Sequence, residues 1–248
     1  MSISPVEIAA LAGIAVLGSI VFGITGFGAA LITIPLATHL VSLQFALALF
    51  VLMDLANAFR IGFENPKHAL RTEWTRMVPT IVLGTVTGVT LLVSLPRQAA
   101  TAALGVFVFG FALYSLMRSP TTHARISSRW AYLAGFAGGI TSTLFGAGGP
   151  PYAIYLQHRG LTKEQYRATL GLATLTSISL RTIAFLATGF LLDPKVWIYA
   201  VAVVPAGLAG LWAASRLFHR MSRDALMRAV SLMLAASGAS LLLRALGS

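Results

Sequence analysis

The sequence predicts an all-α polytopic membrane protein made of two inverted repeats, each a glycine-broken helical hairpin plus three transmembrane helices. Three observations predict it. Hydrophobic residues make up 57% of the 248 positions and charged residues only 10%, against about 25% charged in a soluble domain; mean hydropathy is +0.82. The apolar stretches are continuous and reach the roughly 20 residues that a membrane-crossing helix needs, whereas a β-barrel would alternate. Finally, the chain aligns with itself from end to end. Its length leaves room for about eight to ten membrane segments and for no sizeable soluble domain.

The first apolar stretch, 8–41, is too long for one span. Gly23-Ile24-Thr25-Gly26-Phe27-Gly28 breaks it and Pro35 interrupts its second part, so it reads as a hairpin, roughly 7–24 and 28–41, with glycines at the tip. A helix at about 43–63 follows, then a polar loop holding Glu64, Asn65, Pro66, Lys67, His68, Arg71 and Glu73. Helices at about 75–95 and 98–117 are joined by the turn Pro96-Arg97-Gln98, and a polar linker runs from 118 to 129. The pattern then restarts. A stretch at 130–157 is broken by Gly146-Ala147-Gly148-Gly149-Pro150-Pro151, and helices at about 165–190, 196–217 and 225–245 complete the chain.

A shift of 120 places Gly26 on Gly146, Gly28 on Gly148 and Asn57 on Ser177. A shift of 126 places Pro79 on Pro205, Gly84 on Gly210, Arg97 on Arg223 and Arg118 on Arg244. One small insertion reconciles the two. The chain 1–248 therefore reads as one transmembrane domain, an internal duplication with repeats at about 7–118 and 130–245, as in many transporters. Five segments per repeat would invert the second copy. With hairpins that return to their starting side, one face carries fourteen Lys and Arg residues and the other only Arg97, Lys195 and Arg244, with Arg181 inside a helix; single crossings would give 9 and 8. The positive-inside rule selects the hairpins and places both termini outside the cytoplasm. The second arm of the first hairpin reaches only about 20 Å, which favours a re-entrant form.

The net charge of +11 does not indicate nucleic acid, because the basic residues are spread through short loops between apolar runs. Without cysteine there are no disulfides and no thiolate chemistry. The first residues lack the basic region of a cleaved signal, so the first apolar run is expected to be kept. His39, His68, His123, His158 and His219 fall in loops or at hairpin ends and form no pair with zinc-ligand spacing. No metal or cofactor is expected. Gly84 with Gly88, and Gly210 with Ala214, read as close-packing faces, and Trp130 and Trp197 as interface anchors.

The chemistry concentrates at the two glycine tips. A broken helix leaves backbone N–H groups unpaired at its new N-terminus, where the macrodipole is positive and anions bind. Such backbone is tolerated in a membrane only where protein or a water-filled cavity surrounds it. The candidate substrate-binding residues are Thr25, Gly26 and Gly28 at the first tip and Ser142, Thr143, Gly146, Gly148 and Gly149 at the second. Asn57 and Ser177 are added as matched donors. Arg181 and Asp54 are the two formal charges placed near the bilayer centre. Two readings stay open for them: Arg181 binds an anion while Asp54 tunes it or carries a proton as the coupling candidate, or the two form a structural ion pair.

The glycine-rich first segment followed by Pro35, and its second copy Phe145-Gly146-Ala147-Gly148-Gly149-Pro150-Pro151, resemble the duplicated signature of the sulfite exporter TauE/SafE family of membrane permeases. The resemblance covers about residues 8–245. It implies transport of small sulfur-containing anions, such as sulfite, sulfonates or sulfoacetate, across the bacterial inner membrane, with export favoured over uptake. The expected partners are a small anionic substrate and the lipid bilayer; a homo-oligomer stays open. A channel or uptake permease on the same fold is the alternative. An intramembrane protease is disfavoured, because no His lies within a helix core beside a Ser and only one carboxylate is deep.

Overall fold

The computed structural model describes residues 4–62, 66–117, 125–217 and 223–246. Among them are ten α-helices: α1 (Pro5–Thr25), α2 (Ala29–Ala37), α3 (Leu43–Gly62), α4 (Arg71–Ser94), α5 (Arg97–Met117), α6 (Trp130–Phe145), α7 (Gly149–Gln157), α8 (Lys163–Ala187), α9 (Pro194–Leu217) and α10 (Arg223–Leu246). Six of them, α1, α3, α4, α5, α8 and α9, are long and apolar enough to cross a bilayer. The protein is an all-helical multi-pass membrane protein. Glu64, Asn65, His123 and His219 lie outside the described residues, as does 118–124 of the linker.

Local chemistry explains the breaks. α1 ends at Gly26 (φ 81°), whose N–H bonds the Phe22 carbonyl, and α6 ends at Gly146 (φ 73°), whose N–H bonds that of Ser142. Both are left-handed caps that glycine adopts without a Cβ penalty. α2 and α7 have nine residues each, about 14 Å of rise, half of what a crossing requires. α2 runs through Pro35 and stops at Ala37, a few residues short of the expected arm. α8 starts on a capping box between Thr162 and Gln165. α4 begins at Arg71, so Arg71 and Glu73 stand in its first turn and not in the preceding loop; an acidic side chain there complements the positive helix end.

Glycines set the packing. A Cβ at Gly18 of α1 would overlap Thr33 of α2, and one at Gly138 of α6 would overlap the Tyr152 ring of α7, so both hairpins are pinched 120 residues apart. α4 packs against α6 with Gly84 on Gly139, Gly88 on Ile140 and Thr143, and Gly135 on Met77 and Thr80, and α1 packs against α9 with Gly210 on the Val16 backbone. Small residues allow this approach, which replaces the hydrophobic driving force that lipid removes. α5 lies against α10, and α3 and α8 touch in the middle while reaching α9 and α4. The outward faces carry apolar residues such as Val86, Val106 and Val201, as lipid contact requires.

Candidate functional site

The two tips meet. Gly149 lies so close to the Phe27 ring that a Cβ would overlap it, and a Cβ at Gly146 would press on Ala30 and on the Arg181 guanidinium. Between them is a small cavity of about 20 Å³. Ten of its lining residues form five pairs 120 apart: Phe22 and Ser142, Phe27 and Ala147, Gly28 and Gly148, Ala29 and Gly149, Asp54 and Thr174. Ala30, Gly146, Tyr152, Ser177 and Ile178 complete the wall.

Arg181 stands beside this cavity, 1% exposed, and Asp54 is 3% exposed. The Arg181 Nη2 donates to Asp54 Oδ2 at 2.8 Å and Nη1 donates to the Ser142 carbonyl at 2.9 Å. Ser142 lies in the last turn of α6, where the helix end is negative and a cation is favoured. The two deep charges that sequence singled out are thus an ion pair across α3 and α8. The pair is incompletely satisfied: Asp54 Oδ1 and Arg181 Nε have no hydrogen-bond partner, nor does Thr174 Oγ1 on the cavity wall. Orphaned polar atoms in a buried site are costly, and here they cluster where two glycine tips expose backbone.

Gly28, Asp54, Ser142, Gly146, Gly148, Gly149 and Ser177 line the cavity, and Arg181 holds Asp54. Gly148 is glycine because a Cβ would press on the Gly138 carbonyl and on Ser142 and Ser177. Ser177 accepts a hydrogen bond from the Tyr152 hydroxyl at 3.0 Å. Other expected residues sit elsewhere. Asn57 donates to Ser19 of α1 at 2.8 Å, Thr143 donates to its own helix at Gly139, and Gly26 caps α1 near Leu170. The side chain of Thr25 is outside the described atoms. Sequence reasoning missed Tyr152, Thr174 and the two phenylalanines, although the 120 shift that pairs the glycines also pairs Asp54 with Thr174.

A second polar cluster lies at the far end of α7. Glu73, 5% exposed, accepts Arg159 Nε at 3.1 Å and Nη2 at 2.7 Å, Arg76 Nη1 at 3.4 Å, and the Tyr155 hydroxyl. Arg159 Nη1 donates to the Ile126 carbonyl at 2.6 Å. The bonds to Glu73 hold the Arg159 guanidinium above its ordinary pKa. This cluster ties α7, the start of α4 and the segment before α6 together.

Over residues 11–241 the chain matches the protein family described as Sulfite exporter TauE/SafE. It belongs to that family. Among its relatives, the "Probable sulfite/organosulfonate exporter TauE" of Cupriavidus necator is 28% identical over 240 residues, covering 94% of this chain and 88% of the relative. The "Probable inner membrane transporter protein TsaS" of Comamonas testosteroni is 22% identical over 194 residues, covering 78% and 81%. No solved structure matches. As a TauE/SafE transporter, the chain carries both glycine breaks inside the family's matched span.

Proposed function

We propose that this TauE/SafE transporter is a secondary exporter of small sulfur-containing anions, such as sulfite, sulfonates or sulfoacetate, across the bacterial inner membrane. Family membership supports the transporter class, and the descriptions of the two relatives support the sulfur anion and the inner membrane. The observation that carries the reading is the meeting of two broken-helix tips on one buried cavity beside Arg181. The α2 N-terminus offers backbone N–H groups there. Ser142, Thr174 and Ser177 offer hydroxyls, and Arg181 supplies the positive charge.

In this reading the chain is one transmembrane domain of two inverted repeats with re-entrant hairpins and both termini in the periplasm. The five matched pairs around one cavity, the crosswise packing of α1 on α9 and α6 on α4, and the short α2 and α7 support it. A cavity of 20 Å³ holds about one water, less than a sulfonate needs. It corresponds to a closed stage of alternating access and supports a carrier over an open pore. The absence of cysteine from the sequence makes single-cysteine labelling a direct topology test: residues introduced in the α4–α5 and α8–α9 turns should react from outside intact cells.

The transport test is flux of sulfite, ethanesulfonate and sulfoacetate in proteoliposomes. Saturable flux with counterflow is expected. Non-saturable flux without counterflow would make it a channel, and no movement of any of these anions would overturn the reading. Arg181→Gln keeps a donor toward Ser142 and should weaken anion affinity at least tenfold while the protein remains folded by circular dichroism.

A further inference from the structure

Resting on the anion-transport reading above, we propose that the cavity takes up one proton for each monoanion it binds: the proton adds to Asp54 Oδ1, and the anion replaces Asp54 as the partner of Arg181. The observations are geometric. Asp54 and Arg181 are both almost fully buried and are joined by a single contact, Nη2 to Oδ2 at 2.8 Å. The other carboxylate oxygen, Oδ1, has no partner, and the Asp54 side chain forms part of the cavity wall. On the opposite half, at the position 120 residues on, the Thr174 hydroxyl is also buried, unpartnered and on the wall.

The pair is neutral as it stands. A monoanion brought beside it would leave one uncompensated negative charge in a low-dielectric interior, which is strongly unfavourable. The ionisable groups on the wall are Asp54 and Tyr152, and Tyr152 in its ordinary state is already protonated. Facing Asp54 from α8 is Arg181. On α1, α5 and α9 the titratable residues stand near the helix ends (Glu7, Arg97, Tyr114, Lys195, Tyr199 and Arg216), α2 carries none, and those of α8 other than Arg181 fall in its first two turns. Asp54 is therefore the group placed to neutralise the added charge. Protonation converts its open oxygen into an O–H donor, dissolves the ion pair, and frees Nη2 to join the unpartnered Nε as a two-donor edge for an oxyanion. The balance is closed: one proton arrives from water, the Asp54–Arg181 contact breaks, and an Arg181–anion contact forms. Transport of a monoanion with its proton then moves no net charge: the flux is set by the product of the anion and proton gradients, and net export needs an outward anion gradient that outweighs the inward proton gradient.

The experiment uses the full chain in lipid nanodiscs and ethanesulfonate, which stays ionised across the working range, so any proton taken up is the protein's. In weakly buffered solution at pH 7 with an indicator dye, about one proton should disappear per ethanesulfonate bound, and affinity should fall tenfold per pH unit on the alkaline side. In proteoliposomes, ethanesulfonate flux should follow an imposed pH gradient and ignore an imposed potential. Asp54→Asn should bind with pH-independent affinity and no proton uptake. Binding without proton uptake in the unaltered protein, or flux driven by potential alone, would overturn the exchange while leaving the transporter reading intact. Failure of sulfite, ethanesulfonate and sulfoacetate all to bind would remove the transporter reading and the exchange with it.

Discussion

At the tip of the first hairpin the chain turns through two left-handed glycines, Gly26 (φ 81°) and Gly28 (φ 94°), and α2 begins Ala29-Ala30-Leu31. At the second tip only Gly146 (φ 73°) is left-handed, Gly148 has φ −73°, and α7 begins Gly149-Pro150-Pro151. Every residue in the first turn of α2 carries an N–H; in α7 two of three do not, because proline has none. Side chains reverse the balance. The second half brings Ser142, Thr174 and Ser177 to the wall, with the cation Arg181 beside it on Asp54, where the first half faces the cavity with Phe22, Phe27 and Asp54. The far ends differ too. α7 is followed by Arg159, clamped on Glu73, whereas α2 ends at a recess of about 470 Å³ between the α2–α3 and α4–α5 turns. Stretches 120 residues apart therefore frame one cavity, with the start of α2 on one side and hydroxyl-bearing side chains on the other, and the Glu73–Arg159 clamp stands at the far end of the second hairpin.

The largest test of this asymmetry is Arg181→Ala. It leaves Asp54 buried without its cation and the Ser142 carbonyl without its second donor, a loss of about 3–5 kcal/mol. Thermal unfolding in detergent should show it, and pairing it with Asp54→Leu should recover most of the loss. If the double variant is no more stable than the single one, the pair is not what makes Arg181 necessary. Next comes the clamp. Glu73→Ala strands partly buried Arg159 and should cost about 2 kcal/mol, while Tyr199→Phe, at the position 126 residues on and influenced by Glu7, should cost under about 1 kcal/mol. Equal losses would erase the distinction between the two ends.

The tips themselves give a finer comparison. Gly26→Ala and Gly146→Ala both force alanine into left-handed backbone, about 1–2 kcal/mol each. Only Gly146→Ala adds a clash with Ala30 and Arg181; a Cβ at Gly26 meets nothing nearer than Leu170 at 4.0 Å. Gly146→Ala should therefore lower the unfolding midpoint further, by about 1 kcal/mol or more. The smallest effect is Pro150→Ala. It restores an N–H to the first turn of α7 and should tighten ethanesulfonate binding about two- to fivefold, the scale of one helix-end interaction. Unchanged binding would mean that the α7 end does not face the anion.

Much of this organisation is legible along the chain. Continuous apolar runs located the long helices to within a few residues because lipid thickness imposes their length. Gly26 and Gly146 marked the breaks because only glycine takes a left-handed cap cheaply. Glu73 was not legible. Among Arg71, Arg76 and other polar residues it reads as part of a solvated loop, and what buries it is Arg159 and Tyr155, more than 80 positions away. Asn57 and Ser177 show the opposite failure: they match at a shift of 120, yet Asn57 turns to Ser19 while Ser177 faces the cavity, because neighbouring helices bring different side chains to each.

The sequence by itself determined the class of solvent, the number and rough place of the helices, and the two points where they break, since hydropathy and glycine conformation are local properties. Whether Arg181 and Asp54 were partners or separate groups was left to the tertiary structure. Their contact spans 127 positions, and side chains that far apart are brought together only by how α3 and α8 pack.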